Sequence, residues 1–124
     1  MARIIVADDQ AAVRHAVRAI LEPAGHVVAE AANGRDALGL LADGCDLLIT
    51  DVLMPEMDGL ELLRHAKRRR PDLPVLVVTG GWRGDNLDLL SMAFKLGADR
   101  TLGKANIVKE LAGVVAAMTE QRVA

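Results

Sequence analysis

Aromatic residues are almost absent: the 124-residue chain holds one Trp, one Phe and no Tyr, 2% in all. Its core must be assembled from Ala, Val, Leu and Ile, and a platform that stacks nucleic-acid bases is disfavoured. Cysteine is nearly as scarce. Cys45 stands alone, which excludes an intramolecular disulfide framework and suits a reducing cytoplasm. Neither sign of charge dominates, since 15 Lys and Arg against 17 Asp and Glu leave a net charge of -2. No overall field therefore draws in a phosphate backbone, and direct nucleic-acid binding is not expected. No apolar run nears the roughly 18–20 residues of a membrane span, and no signal-peptide pattern opens the chain. What remains is 52% hydrophobic and 26% charged, the composition of one globular domain over residues 1–124.

Short apolar runs alternate with helical patterns. The runs are Arg3–Ala7 (RIIVA), His26–Glu30 (HVVAE), Asp46–Thr50 (DLLIT), Pro74–Thr79 (PVLVVT) and a weaker Asp99–Leu102 (DRTL). The first, third and fourth read as strands buried on both faces. Between them, Val13, Val17, Ile20 and Leu21 keep helical spacing, as do Ile107, Leu111, Val114, Val115 and Met118. Ala37, Leu38 and Leu41 mark a shorter helix; Leu87, Leu90 and Phe94 mark another. Gly25, Gly44 and Gly97 follow helical stretches, where a left-handed cap suits glycine. Asp58 followed by Glu61 reads as a capping box opening a helix over Gly59–Arg70. Five strands alternating with five helices predict an α/β fold, a parallel sheet with helices on both faces.

In such a sheet, ligands bind beyond the carboxyl ends of the strands. Asp8 and Asp9 follow the first run, Asp51 the third and Lys104 the fifth, while Thr79 ends the fourth. Polar strand ends are common and need no purpose, but five such groups converging on one edge are harder to dismiss. Carboxylates about 4 Å apart repel by roughly 4 kcal/mol per pair at an effective dielectric near 20. Asp8, Asp9 and Asp51 can share a crevice only with a compensating proton, ammonium or cation. The donors are oxygens, so a hard cation is favoured over zinc, and Mg²⁺ over Ca²⁺ because few carboxylates are on offer. Lys104 adds a second positive charge and Thr79 a hydroxyl donor, both suited to phosphoryl oxygens. A carboxylate can itself take up a phosphoryl group as an aspartyl-phosphate.

These residues carry a resemblance that spans nearly the whole chain. Ala7-Asp8-Asp9, Ala32-Asn33-Gly34, the run Thr50-Asp51-Val52-Leu53-Met54-Pro55-Glu56-Met57-Asp58-Gly59, Thr79-Gly80, Gly97-Ala98-Asp99 and Lys104 resemble the receiver domain of a two-component response regulator. The resemblance implies a flavodoxin-like five-stranded parallel sheet in the order 2-1-3-4-5. It further implies Asp51 as phosphoacceptor and Mg²⁺ held by Asp9, by Asp8 mainly through water, by Asp51 and by the Leu53 carbonyl. Thr79 and Lys104 would serve the phosphoryl group. The donor would be a phosphohistidine on a histidine kinase or histidine phosphotransfer protein, and the phosphorylated form would meet a downstream protein target. Such a chain is not an enzyme in the usual sense, because it catalyses only its own phosphorylation and dephosphorylation.

Two departures from the family pattern stand out. Lys104 precedes Ala105 where the family has a proline after a cis bond, so either a trans bond with a rerouted loop or a strained cis bond is expected. Thr101 stands where a switching aromatic usually sits, which leaves Trp82, in the loop after the fourth strand, as a candidate for signal output. Ala11, Arg14, His15 and Arg18 are the expected docking face for the phosphodonor, with an ordinary wet helix face as the plainer reading. Arg64, Lys67, Arg68, Arg69 and Arg70 read as a solvated helix end, and Cys45 as a small core residue. His15, His26 and His65 make no ligand spacing. With Met118–Ala124 following the last helix, no output domain is expected in this chain, though a receiver cut from a longer regulator would look the same. The rival reading is a phosphorylation-independent docking module. A phosphatase would want an acid where Leu53 stands, and a flavin phosphate would face Asp8 and Asp9 unless a metal intervened.

Overall fold

The computed structural model describes residues 1–80 and 85–120, with the side chains of 85–89 left aside. Five strands are formed: β1 (Arg3–Ala7), β2 (Val27–Ala31), β3 (Leu47–Asp51), β4 (Val75–Thr79) and β5 (Arg100–Gly103). The helices between and after them are α1 (Ala11–Leu21), α2 (Gly34–Leu41), α3 (Gly59–Arg69), α4 (Asp85–Lys95) and α5 (Ile107–Glu120), with a 3-10 turn at Lys104–Asn106. All strand pairs are parallel and the order is β2-β1-β3-β4-β5, as the resemblance implies.

Alternation along each strand sends successive side chains to opposite faces. Ile4, Val6, Leu47, Ile49, Leu76 and Val78 meet Val17 and Leu21 of α1 and Leu111 and Val115 of α5. Ile5, Leu48, Val75 and Val77 meet Ala37 of α2, Leu62, Leu63 and Ala66 of α3 and Ala93 of α4. Each large aliphatic side chain so buried contributes about 1.5–3 kcal/mol, so the ring-free core rests on Leu, Ile and Val. Cys45 is buried in the second layer, as expected. Among the described residues no helix is long and apolar enough to cross a membrane.

Local signals act where the sequence places them. Gly25, Gly44 and Gly97 take φ of 96°, 86° and 114°, and the Asp58 carboxylate caps α3 by accepting the Glu61 N–H at 2.9 Å. Strands β2, β3 and β5 each start and end one residue later than their apolar runs, so Asp51 is the last residue of β3, not the first beyond it. The stripe expected on α4 fails at Phe94; Leu90 is half-buried, and the Leu87 side chain lies outside the described residues. Ala93 is fully buried, whereas Phe94 is 51% exposed. The helix approaches its neighbours through the small residue, and the next position, about 100° around the axis, turns the ring outward. Trp82 and residues 121–124 lie outside the described residues.

Candidate functional site

Strand geometry carries the acids to one edge. The Asp8 N–H donates to the Ala31 carbonyl at 3.1 Å, extending the β1–β2 ladder one step past Ala7. Asp8 Oδ1 then accepts the Gln10 N–H at 2.8 Å, a local turn that leads into α1. On the neighbouring strand, Asp51 Oδ1 accepts the Val52 N–H at 2.7 Å. Asp8 is 1% and Asp51 9% exposed, while Asp9 lies at the surface. One carboxylate oxygen from each of the three falls within 4.8 Å of the others.

The loop after β3 is held tightly against this edge. The Gly59 N–H donates to the Val52 carbonyl at 2.7 Å, and a Cβ on Gly59 would come within 1.8 Å of the Asp51 carbonyl oxygen. Any side chain there would force α3 away from the strand that carries Asp51. Glu56 takes φ of 67°, and the Met57 N–H donates to the Pro55 carbonyl at 2.8 Å. This three-residue turn is strained for a residue with a side chain. It presents the Met57 carbonyl to the Gly34 N–H at 3.1 Å, which ties the loop to the start of α2.

Lys104 completes the cluster. Its Nζ lies 3.0 Å from Asp8 Oδ2 and 3.0 Å from Asp51 Oδ2. No cis peptide occurs among the described residues, so of the two expected outcomes at Lys104–Ala105 the trans bond is found, followed by the 3-10 turn. Lys104 still reaches both acids. Its third donor meets Gln10 Oε1 at 3.0 Å. Gln10 was not singled out by sequence, and Gly80 only as part of the Thr79-Gly80 motif; a Cβ on Gly80 would come 2.8 Å from Lys104 Cδ, so glycine leaves the lysine its path. The available signals were a glutamine, a poor helix cap, directly after paired acids, and a glycine directly after Thr79.

A cavity of about 530 Å³ opens at this edge, lined by Asp9, Gln10, Asp51, Leu53, Gly80 and Lys104. Thr79 ends β4, half-buried, one residue beyond Val78, the register partner of Asp51. It thus belongs to the same edge, although it is not part of the cavity lining. Burial pushes the Asp51 carboxyl above its ordinary value, and the Asp8 charge adds to this, outweighing the downward pull of Lys104. For Lys104, burial works downward, but the hydrogen bonds to Asp8 and Asp51 win and raise its pKa. Among the described residues, one ammonium faces three carboxylates. That surplus of negative charge, on oxygen donors alone, fits a hard divalent cation.

Other expectations meet mixed outcomes. On the expected docking face, Ala11 and His15 are exposed, but Arg14 and Arg18 are engaged within the chain. Arg14 Nε and Arg18 Nη1 each lie 2.9 Å from a carboxylate oxygen of Glu30 on β2. The basic end of α3 is only partly solvated. Lys67 Nζ binds the Leu73 carbonyl at 2.6 Å and Asp99 at 3.0 Å, and Arg70 donates to the Cys45 carbonyl at 2.5 Å.

Comparison with known proteins agrees with this arrangement. Residues 4–116 match the family model described as the response regulator receiver domain. The chain is 40% identical over 110 residues to the response regulator MprA of Mycolicibacterium vanbaalenii, covering 88% of this chain and 46% of that protein. It is 39% identical over the same length to MprA of Mycobacterium tuberculosis, again with 88% and 46% covered. The chain thus spans under half the length of these curated relatives. A receiver domain protein from Clostridium thermocellum superposes with a TM-score of 0.88 at 29% identity, covering 98% of this chain and 97% of that one. The receiver domain of AraT from Geobacillus stearothermophilus gives 0.84 at 34% identity, covering 97% and 94%. With its sheet order, its acidic edge and these likenesses, the chain belongs to the response regulator receiver domains of two-component systems.

Proposed function

We propose that the chain accepts a phosphoryl group on Asp51 from a phosphohistidine of a histidine kinase or histidine phosphotransfer partner, with Mg²⁺ as cofactor. The observation that carries this reading is the convergence of the Asp8, Asp9 and Asp51 oxygens within 4.8 Å, against the ammonium of Lys104. Asp8, Asp9, Asp51 and the Leu53 carbonyl would hold the metal. When bound, Mg²⁺ supplies positive charge against the carboxylates and the phosphoryl oxygens.

The chain's own groups do the rest. Lys104 already sits on the Asp51 oxygen and can follow negative charge onto the phosphoryl group. Thr79, on the same edge, offers a hydroxyl to another phosphoryl oxygen. As an Asp51 oxygen bonds to phosphorus, the phosphorus–nitrogen bond of the donor breaks and the imidazole leaves with its electron pair. Hydrolysis later returns the carboxylate and releases phosphate, so the chain's chemistry is confined to itself. Such a partner accords with a cytoplasmic location. In β5, half-buried Thr101 offers no ring to swing, so the signal to a protein target passes through other groups. Against a phosphorylation-independent docking module stand the bonds of Lys104 to Asp8 and Asp51, which form although Ala105 follows it.

Intact-mass measurement after incubation with acetyl phosphate tests the proposal. A gain of about 80 Da, one phosphoryl group, is expected with Mg²⁺ and not with EDTA, and Asp51→Asn should abolish it. Labelling that persists in that variant would place the acceptor elsewhere.

A further inference from the structure

We infer that Arg14, aligned by Glu30, is a positioning residue that sets the peptide joining Asp8 to Asp9 and thereby the geometry of the metal-binding acids. The inference rests on the proposed metal-dependent phosphorylation and concerns residues which that proposal does not use. Arg14 Nη1 donates to the Asp8 backbone carbonyl at 2.8 Å. The same guanidinium, through Nε, meets Glu30 Oε1 at 2.9 Å. Its side chain is 17% exposed and that of Glu30 19%, so both are largely withdrawn from water.

The carbonyl it holds lies beyond the last β1–β2 ladder pair, Ala7 with Ala31. No neighbouring strand residue in the register claims it, and Arg14 supplies its donor. The Asp8 residue is then fixed at every polar group: its N–H by Ala31, its carbonyl by Arg14, and its carboxylate by Gln10 and Lys104. Among the described residues, no comparable bond holds Asp9, which lies at the surface. Its position follows from the peptide plane that Arg14 anchors.

Glu30 makes the anchor directional. Its second oxygen takes Arg18 Nη1 at 2.9 Å, and Arg18 in turn pairs with Glu22 at 3.0 Å. The Arg18 hydrogen bond, assisted by Arg14, holds the Glu30 carboxyl below its ordinary value, so Glu30 stays charged. A planar guanidinium can satisfy the carboxylate and the carbonyl together; a lysine ammonium lacks that fork. Residues that orient metal ligands without touching the metal typically change affinity by about 10–100-fold when removed.

Arg18 provides an internal control, because it shares Glu30 with Arg14 but makes no bond to Asp8. Calorimetric titration of Mg²⁺ into wild type, Arg14→Ala, Arg14→Lys and Arg18→Ala reads the difference, with thermal melts alongside. The expected result is a Kd raised about tenfold in Arg14→Ala, little recovered in Arg14→Lys, and within about twofold of wild type in Arg18→Ala. If Arg14→Ala does not fold, Glu30→Gln keeps the side-chain volume and should raise the Kd in the same direction. Unchanged Mg²⁺ affinity in the folded Arg14 variant, or in Glu30→Gln where that variant stands in, or equal losses in Arg14→Ala and Arg18→Ala, would overturn the inference. Absence of Mg²⁺ binding in wild type would instead defeat the metal reading on which it rests.

Discussion

Two clusters of charge lie next to each other along β1 and α1, and they are built on opposite principles. Around Glu30, two arginines face two glutamates, Glu22 and Glu30, in a half-exposed chain of ion pairs with charge balanced. At the sheet edge, among the described residues, one lysine faces three aspartates, two of them buried, and the charge does not balance. The first arrangement is complete as it stands, and its partners lower the Glu30 pKa. In the second, burial first and the Asp8 charge after it raise the Asp51 pKa against the pull of Lys104. A balanced network is satisfied within the fold; an unbalanced, buried one can take a further positive charge.

The largest effect that would break this contrast comes from removing Lys104, the crevice cation among the described residues. Lys104→Met leaves two buried acids without their partner and should cost about 3 kcal/mol in metal-free protein, measured by urea unfolding. Added Mg²⁺ should recover much of that loss, because it replaces the missing charge. Arg18→Ala should cost far less and respond little to Mg²⁺. Equal losses in the two variants would erase the distinction between the clusters.

A smaller but more diagnostic effect is a difference of sign. Without Mg²⁺, Asp51→Asn removes a disfavoured charge and should raise the melting temperature at neutral pH, whereas Glu30→Gln should lower it. The pH slopes follow. Asp51 has a folded pKa above its ordinary 3.8, so the native state holds the proton longer and stability falls as pH rises through that window. Glu30 has a folded pKa below its ordinary 4.5, so its contribution is present above that value and lost as pH falls through the folded pKa. Unfolding curves from pH 3 to 7 should show each substitution removing a slope of opposite sign.

How far the sequence announced all this depends on the range of the interaction. The strands were legible because apolar runs bounded by polar residues leave few alternatives, and the acids because each stands at a strand end. Asp58 and the three glycines signal caps through local chemistry. Gln10 and Arg14 were obscure for the opposite reason: their partners, Lys104 and Glu30, lie on other elements. Phe94 misled because helical period alone cannot say whether a ring or the alanine beside it faces the core. Glu56 gave no warning, since a glutamate is a poor guide to a left-handed turn. Lys104 kept its place without proline, which only the path of the 3-10 turn and the space over Gly80 make intelligible.

The most direct measurement of the central claim is a crystal structure of the protein grown with Mg²⁺ and beryllofluoride, a mimic of the phosphoryl group. The account predicts a metal about 2.1 Å from oxygens of Asp9 and Asp51, the beryllium bonded to an Asp51 oxygen, and Lys104 Nζ drawn onto a fluorine. A crevice in which saturating metal binds elsewhere, or in which beryllium leaves Asp51 bare, would contradict it.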